Sequence, residues 1–365
     1  MNLMNRFRDK QKVTALLKKI EEIVKPEKDY SIMEICGTHT VAISRWGLRG
    51  LLPKNIRLIS GPGCPVCVTS QGEIDIIFDL LNKHDVTIAV YGDLMRVPNS
   101  NGENLLHLRG KGKKIIIINS VVELIRIADK NPEEDFVFVS IGFETTTPQT
   151  AFLIKEAEKK GIKNLSVLLF NKTMPEILNL LLADENLAIN GFIAPGHVST
   201  VTGVELYQGI IRQNRAAVIT GFEPVEILEG VMEIIKQVNT NNFTVGNCYK
   251  RVVSGKKNIK AYELMYDVFE SFDAVWRGIG LIRNSGLKIR AKYEDFDAML
   301  KYNLKAYSYN ERAGCKCGEV LKGYIKPMDC SLFGSFCTYE NPYGPCMVSS
   351  EGTCAAYYLY GGIDG

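Results

Sequence analysis

FVFVSIGFETTTPQTAF, residues 136–152, reads as a strand, a loop and the start of a helix. Phe136 to Ile141 run without the apolar/polar alternation of a half-exposed strand, so the strand they form is buried on both faces. Gly142 interrupts it. Thr147 followed by Pro148 reads as the N-cap and first position of a helix, where a missing N–H costs nothing. Glu144 and the threonines after it are left at the strand's carboxyl end, where they either cap the helix or take part in chemistry.

The same cadence recurs on both sides. Apolar strand-like runs lie at 31–35, 56–60, 86–91, 114–119, 165–170, 188–193 and 216–220. Ser70-x-x-Glu73, Ser120-x-x-Glu123 and Thr173-x-x-Glu176 read as capping boxes that open the helices between them. Buried strands joined by helices make a parallel sheet covered on both faces, an α/β fold. Eight strands can close into a barrel. Charge and proline in DKNPEEDF (129–136) interrupt the pattern and favour two four-stranded open sheets instead. Gly-Phe-Glu recurs at 142–144 and 221–223, a weak sign of duplication.

Before the first strand, Val13, Leu16, Leu17, Ile20, Ile23 and Val24 form one apolar helical face, stopped by Pro26. After about residue 248 the alternation ends. Residues 259–312 read as helical, and 314–365 as an irregular segment rich in glycine, proline and cysteine. An ordered segment that long without periodicity needs a staple.

The 365 residues suffice for two or three domains, and 44 basic against 41 acidic residues leave a net charge of +3, too near neutral for a nucleic-acid surface. MNLMNRFRDKQK has no apolar signal region, and no stretch approaches the roughly 18 apolar residues of a membrane helix. The expected compartment is the cytoplasm, with no membrane partner. Ten cysteines there point to metal binding or redox chemistry before disulfides. With four histidines in the chain, a large metal site must lean on sulfur.

In open parallel sheets, ligands bind beyond the carboxyl ends of the strands. Cys36, His39, Cys64, Cys67, Asp93, Glu144, Asn171, His197 and Glu223 all fall there. Cys64 and Cys67, in GPGCPVCV (61–68), are a bidentate metal clip, a redox dithiol or a packed turn. The helix expected from Ser70 turns its positive end toward them, which lowers a thiol's pKa. Cys36, three residues before His39, is a nucleophile, a soft ligand or neither. His197 in APGHVST reads as a partner to a helix start rather than a ligand, and His84 and His107 as surface residues.

Six cysteines, Cys315, Cys317, Cys330, Cys337, Cys346 and Cys354, fall in the irregular tail, which contains no histidine. Cys₄ ligation of zinc or of an iron–sulfur cluster would supply the missing order. The wide spacing, without paired knuckles, favours a [4Fe–4S] cluster.

Taken together, CGTHT (36–40), GPGCPVCV (61–68), YGDLMRVP (91–98), IGFETTTPQTA (141–151), APGHVSTVTG (194–203) and the cysteine run of 327–358 resemble the HypD family of hydrogenase maturation proteins. The resemblance runs in order from about residue 30 to 358. It implies three domains: 30–132 and 133–245, two similar α/β units, and a third formed by 1–29 with 246–365. The family's C-x₁₄-C-x₆-C-x₁₆-C pattern falls on Cys315, Cys330, Cys337 and Cys354 as [4Fe–4S] ligands. Cys317 and Cys346 are left as a redox relay.

It further implies a scaffold, more than a turnover enzyme, on which Fe(II) receives the CN and CO ligands of the Fe(CN)₂CO unit of [NiFe] hydrogenase. HypC would be the partner, and HypE would deliver cyanide. Cys36 would be the main thiolate to this iron, Cys64 and Cys67 auxiliary ligands or a dithiol, and His39 a polar neighbour. Glu144 and His197, at strand ends by their place in the sequence, are further candidate site residues. VPNSNGEN (97–104) departs from the expected Val-Pro-Gly, so the loop near Asp93 and Arg96 is expected to be rebuilt. Two further readings stand beside the scaffold: a cluster-dependent protein disulfide reductase, in which Cys317 and Cys346 reduce Cys64–Cys67, and a zinc-stabilised binding module.

Overall fold

The structure is a computed structural model and describes residues 6–305 and 312–361. Nine strands alternate with helices: β1 (Tyr30–Glu34), β2 (Ile56–Ser60), β3 (Thr87–Val90), β4 (Ile115–Ile117), β5 (Phe136–Ser140), β6 (Leu165–Leu169), β7 (Gly191–Pro195), β8 (Ala216–Thr220) and β9 (Val245–Asn247). A hairpin follows, β10 (Phe269–Trp276) and β11 (Gly280–Ile289). All eight expected strands are present and parallel, and β1, β3, β5, β7 and β8 are buried along their length. No helix among the described residues is long and apolar enough to cross a membrane.

The sheets are not the sequential halves expected. One has five strands in the order β2-β1-β7-β8-β9 and the other four in the order β4-β3-β5-β6. After β2 the chain leaves the first sheet, builds the whole second sheet, and returns to lay β7 against β1, with Ile32 opposite Gly191. The boundary 132/133 therefore cuts the second sheet, whose β3 pairs with both β4 and β5. DKNPEEDF is simply the exposed turn between helix Val121–Lys130 and β5. Charge and proline there mark the surface, not a domain boundary.

Local signals fared unevenly. Ser70 and Glu73 form the expected reciprocal capping box. Ser120 caps Val122 alone, and Thr173 makes no side-chain cap. The helix after β5 starts one residue earlier than expected, with Thr146 as N-cap and Thr147 as its first residue. Of the segment 259–312 read as helical, Ile259–Val268 is helix, but 269–289 is the antiparallel β10–β11 hairpin, and 306–311 lie outside the described residues. Trp276 drives that outcome. It is fully buried, stacks on Phe143 with ring centroids 5.8 Å apart, and donates from Nε1 to Ser285 Oγ at 2.8 Å. Burying an indole is worth at most roughly 5 kcal/mol. Phe269 and Leu287 of the same hairpin join the core of the second sheet, so the hairpin wedges the two sheets together.

The chain termini do not form one unit. Helix Lys10–Ile23 lies on helix Pro224–Thr240, burying Leu16 and Ile20 against the five-stranded sheet. The cysteine-rich tail packs elsewhere, on helix Gly37–Arg45, on Pro65–Val68 and on β2. Arg49 lies 4.7 Å over the Tyr357 ring there. The amphipathic periodicity of 13–24 located a buried face correctly but could not say which partner it meets.

Candidate metal and thiol site

Cys36 lies two residues beyond β1 and is the N-cap of helix Gly37–Arg45. The GPGC loop after β2 crosses directly above it. Gly61 N–H donates to Glu34 O at 2.8 Å, and Gly37 N–H to Gly63 O at 3.2 Å. A Cβ on Gly63 would lie 2.2 Å from Cys36 N, and one on Gly37 would lie 3.2 Å from Cys64 Cβ. Only glycines allow so close an approach, and that approach brings Cys36 and Cys64 side by side.

Cys64 caps the short helix Pro65–Val68, its Sγ accepting from Cys67 N at 3.2 Å. The tail then closes over both thiols. Cys64 Sγ is 3.3 Å from Ser349 Oγ, and Cys67 Sγ is 3.9 Å from Pro345 O. Cys36, Cys64 and Cys67 are 8%, 3% and 0% exposed. All ten cysteines are free thiols.

The expectation that a helix end lowers the thiol pKa is reversed by burial. Desolvation pushes Cys67 well above the ordinary thiol value. It also pushes Cys36 up to about 12, helped by the nearby Glu351, while the backbone of His39 and the Thr38 hydroxyl pull weakly the other way. These thiols stay protonated until a cation or an electrophile displaces the proton.

The sulfur does not stop at Cys67. Its thiol faces Cys346, Cys346 faces Cys317 and Cys354, and Cys317 faces Cys315. The line leads into a small cavity walled by Cys315, Cys317, Cys330, Cys337, Cys346 and Cys354 together with Val320, Leu332, Phe333 and Met347. A Cβ on Gly344 would stand 2.9 Å from Cys315 Sγ. Tyr343 N–H donates to Cys337 Sγ at 3.3 Å.

Among the described residues no three His, Cys, Asp or Glu side chains converge on one ion-sized position. The four thiolates of a cuboidal cluster bind four different irons, so they stand around a volume rather than meeting at a point. The donor set, all sulfur in an apolar wall with an N–H aimed at one ligand, fits a [4Fe–4S] cluster.

His39 turns away from Cys36. Its Nε2–H donates to Gly221 O at 2.9 Å, with Thr220 Oγ1 at 2.8 Å, so it ties the end of β1 to the end of β8. Nδ1 is left buried and without a partner. Burial lowers the His39 pKa to about 4, so the ring is neutral. Phe222 lies between two imidazoles, 4.6 Å from His39 and 4.3 Å from the exposed His197. His197 sits on the helix start Gly196–Thr202, as the sequence suggested, and partial burial lowers its pKa.

Glu144 caps a helix, but not its own. Its Oε1 accepts from Met174 N at 2.8 Å, the role expected of Thr173, and Oε2 is buried without a partner. Burial raises its pKa to about 7. The buried phenol of Tyr207 feels both Glu144 and Cys36, which places the three in one neighbourhood. Asn171 is held between Ser140 and Thr147, and Glu223 is paired with Arg8 at 2.5 Å. Asp93 accepts from Ser350, and Arg96 donates to Tyr339 O, so the unusual 97–104 loop follows two residues that strap the tail.

Sequence reasoning missed Ser349, Glu351, Tyr207 and Arg277. Glu351 accepts from Thr38 Oγ1 at 2.5 Å, and its backbone stands where a side chain on Gly37 would go. Its place three residues before Cys354 was the available signal.

Comparison with known proteins adds the following. The HypD family model, described as "Hydrogenase formation hypA family", matches residues 11–361. Hydrogenase maturation factor HypD2 of Bradyrhizobium diazoefficiens is 42% identical over 369 residues, covering 99% of this chain and 97% of that protein. Hydrogenase maturation factor HypD of Azotobacter vinelandii is 41% identical, with the same coverage. That of Rhodobacter capsulatus is 39% identical and covers 99% of each chain.

Proposed function

The chain belongs to the HypD family of hydrogenase formation proteins, and we propose that it is the scaffold on which the Fe(CN)₂CO unit of a [NiFe] hydrogenase is assembled. The observation that carries this reading is the continuity of sulfur from Cys36 and Cys64 at the sheet end, through Cys67, Cys346 and Cys317, to the tail cavity.

Cys36 is the thiolate that takes the iron, shared with HypC, and Cys64 lies beside it as a second sulfur. Low-spin iron carrying cyanide and carbon monoxide suits soft thiolates. Binding requires the Cys36 proton to leave. Glu351, whose carboxyl burial holds above its ordinary pKa, is the nearby group placed to accept it.

HypE delivers cyanide as a thiocyanate, and moving cyanide from sulfur to iron consumes two electrons. Cys64 and Cys67 supply them by going from two thiols to one disulfide, releasing two protons. Cys317 and Cys346 restore the pair by thiol–disulfide exchange: their own S–S bond forms as the Cys64–Cys67 bond breaks. Cys315, Cys330, Cys337 and Cys354 would hold a [4Fe–4S] cluster, which would supply electrons one at a time.

The disulfide-reductase reading needs an external protein disulfide to reach Cys64 or Cys67. Both lie under Pro345 and Ser349, which argues against it.

The test is anaerobic co-purification with HypC followed by infrared spectroscopy. Iron-bound cyanide and carbonyl bands that vanish in Cys36→Ala are expected. A maturation-competent complex without such bands overturns the reading.

A further inference from the structure

Arg277 opens the turn between β10 and β11 and is 3% exposed. Its backbone N–H donates to Val68 O at 2.8 Å, Nε donates to Thr69 O at 2.7 Å, and Nη1 donates to Gln71 Oε1 at 2.8 Å. All three acceptors are neutral. Among the described residues no carboxylate pairs with it, and Nη2 has no partner. A guanidinium does not shed its proton in a protein, so a full positive charge stands in the core that also holds Cys64, Cys67, Cys317 and Cys346. Burying such a charge without a counter-ion is strongly unfavourable unless an anion joins it.

The turn that carries Arg277 abuts the tail cavity. A Cβ on Gly318, the residue after Cys317, would lie 2.4 Å from Gly278 O. The wall of the cavity contains no Asp or Glu, and Lys316, at its edge, is its one charged residue. Arg277 is therefore a buried cation next to the turn that packs on this cysteine-lined cavity, which has no anion of its own.

We propose that Arg277 is a fixed, buried counter-charge of the tail cavity, acting on the anionic iron–sulfur cluster held by Cys315, Cys330, Cys337 and Cys354 and raising its reduction potential. The inference rests on the cluster reading given above. Four thiolates outweigh the positive charge of a [4Fe–4S] core, and each added electron makes the assembly more negative. A nearby positive charge therefore favours the reduced form over the oxidised one. Arg277 acts as a positioning and field residue, since its remaining arms hold Thr69 and Gln71 at the end of the Cys64–Cys67 turn.

The test uses the full chain, reconstituted anaerobically with iron and sulfide, as the parent and as Arg277→Gln and Arg277→Lys. Each is titrated with dithionite and followed by visible absorption and electron paramagnetic resonance. Arg277→Gln is expected to lower the ratio of reduced to oxidised cluster at a given potential at least tenfold, about 59 mV for a one-electron couple. Arg277→Lys, which keeps the charge, is expected to stay within threefold of the parent.

If Gln fails to retain iron and sulfide while Lys retains them, the need for positive charge is likewise met. An unchanged potential in Gln, or the same loss in Gln and Lys, overturns the inference while leaving the cluster itself in place. A parent chain that holds no iron and no acid-labile sulfide overturns the cluster reading on which it rests.

Discussion

Gly63 and Cys36 are in backbone contact: a single methyl on Gly63 would come within 2.2 Å of Cys36 N and 2.3 Å of its Cα. Two loops at neighbouring strand ends are thus nested so closely that the thiols they carry cannot be separated without moving a strand. Gly63→Ala should therefore destabilise the fold by about 1–3 kcal/mol, the usual cost of overpacking. It should also make Cys36 react faster with a thiol alkylating agent. A Gly63→Ala protein with the parent's melting temperature and alkylation rate would show that the nesting is loose.

Arg49 and Glu34 predict a larger loss. Glu34 Oε1 accepts from Arg49 Nη2 at 2.8 Å and from Ser60 Oγ at 2.6 Å, with Glu34 fully buried behind Cys36. Arg49→Met leaves that carboxylate without its cation and should cost about 3–5 kcal/mol in denaturant unfolding. Adding Glu34→Gln should recover part of it. No recovery in the double variant would locate the effect in Arg49's contact with Tyr357 instead.

His39 and Glu144 give opposite pH slopes. The pKa of His39 falls from 6.5 to about 4 on folding, so the stability it contributes is present above 6.5 and is lost as pH falls through about 4. That of Glu144 rises from 4.5 to about 7, so its contribution is present below 4.5 and is lost as pH rises through about 7. Each amounts to at most about 3 kcal/mol, and between roughly pH 4.5 and 6.5 they offset one another. Glu144→Gln should therefore lose stability toward acid across that window, and His39→Gln toward alkali, in denaturant midpoints measured at each pH. Slopes unchanged from the parent would clear both residues.

Cys346 and Cys337 line the same cavity but should behave differently. Cys337→Ser is expected to lose cluster absorption and most of its acid-labile sulfide. Cys346→Ser should keep both and yet leave the Cys64–Cys67 disulfide unreduced after dithionite, as read by mass shifts of alkylated thiols. Equal iron loss in the two variants would make Cys346 a ligand.

What could be read from sequence was whatever a short window contains. The eight apolar runs were legible because a strand buried on both faces needs no partner to be recognised. β9 was missed because Val245–Asn247 carries no apolar run, and β10–β11 because its strand character depends on Trp276 finding a core between two sheets. Sheet order was illegible for a related reason: β1 takes β7 as its neighbour across the whole second sheet. The tail cysteines were legible as a set from composition. The cover over Cys64 was not, because Ser349 reaches it across 285 residues. Arg277 looked like an ordinary charge in the middle of a segment read as helix.

The detour between β2 and β7 has a consequence for how the protein is made. On the ribosome the first two strands emerge with Cys36, Cys64 and Cys67, but the neighbour of β1 follows only after the whole inserted sheet. The segment that roofs the two later thiols, Pro345 to Ser349, is made only after β7, β8 and the β10–β11 hairpin. During synthesis these sulfurs stand uncovered in the nascent chain, open to oxygen and stray metals until that later segment folds over them.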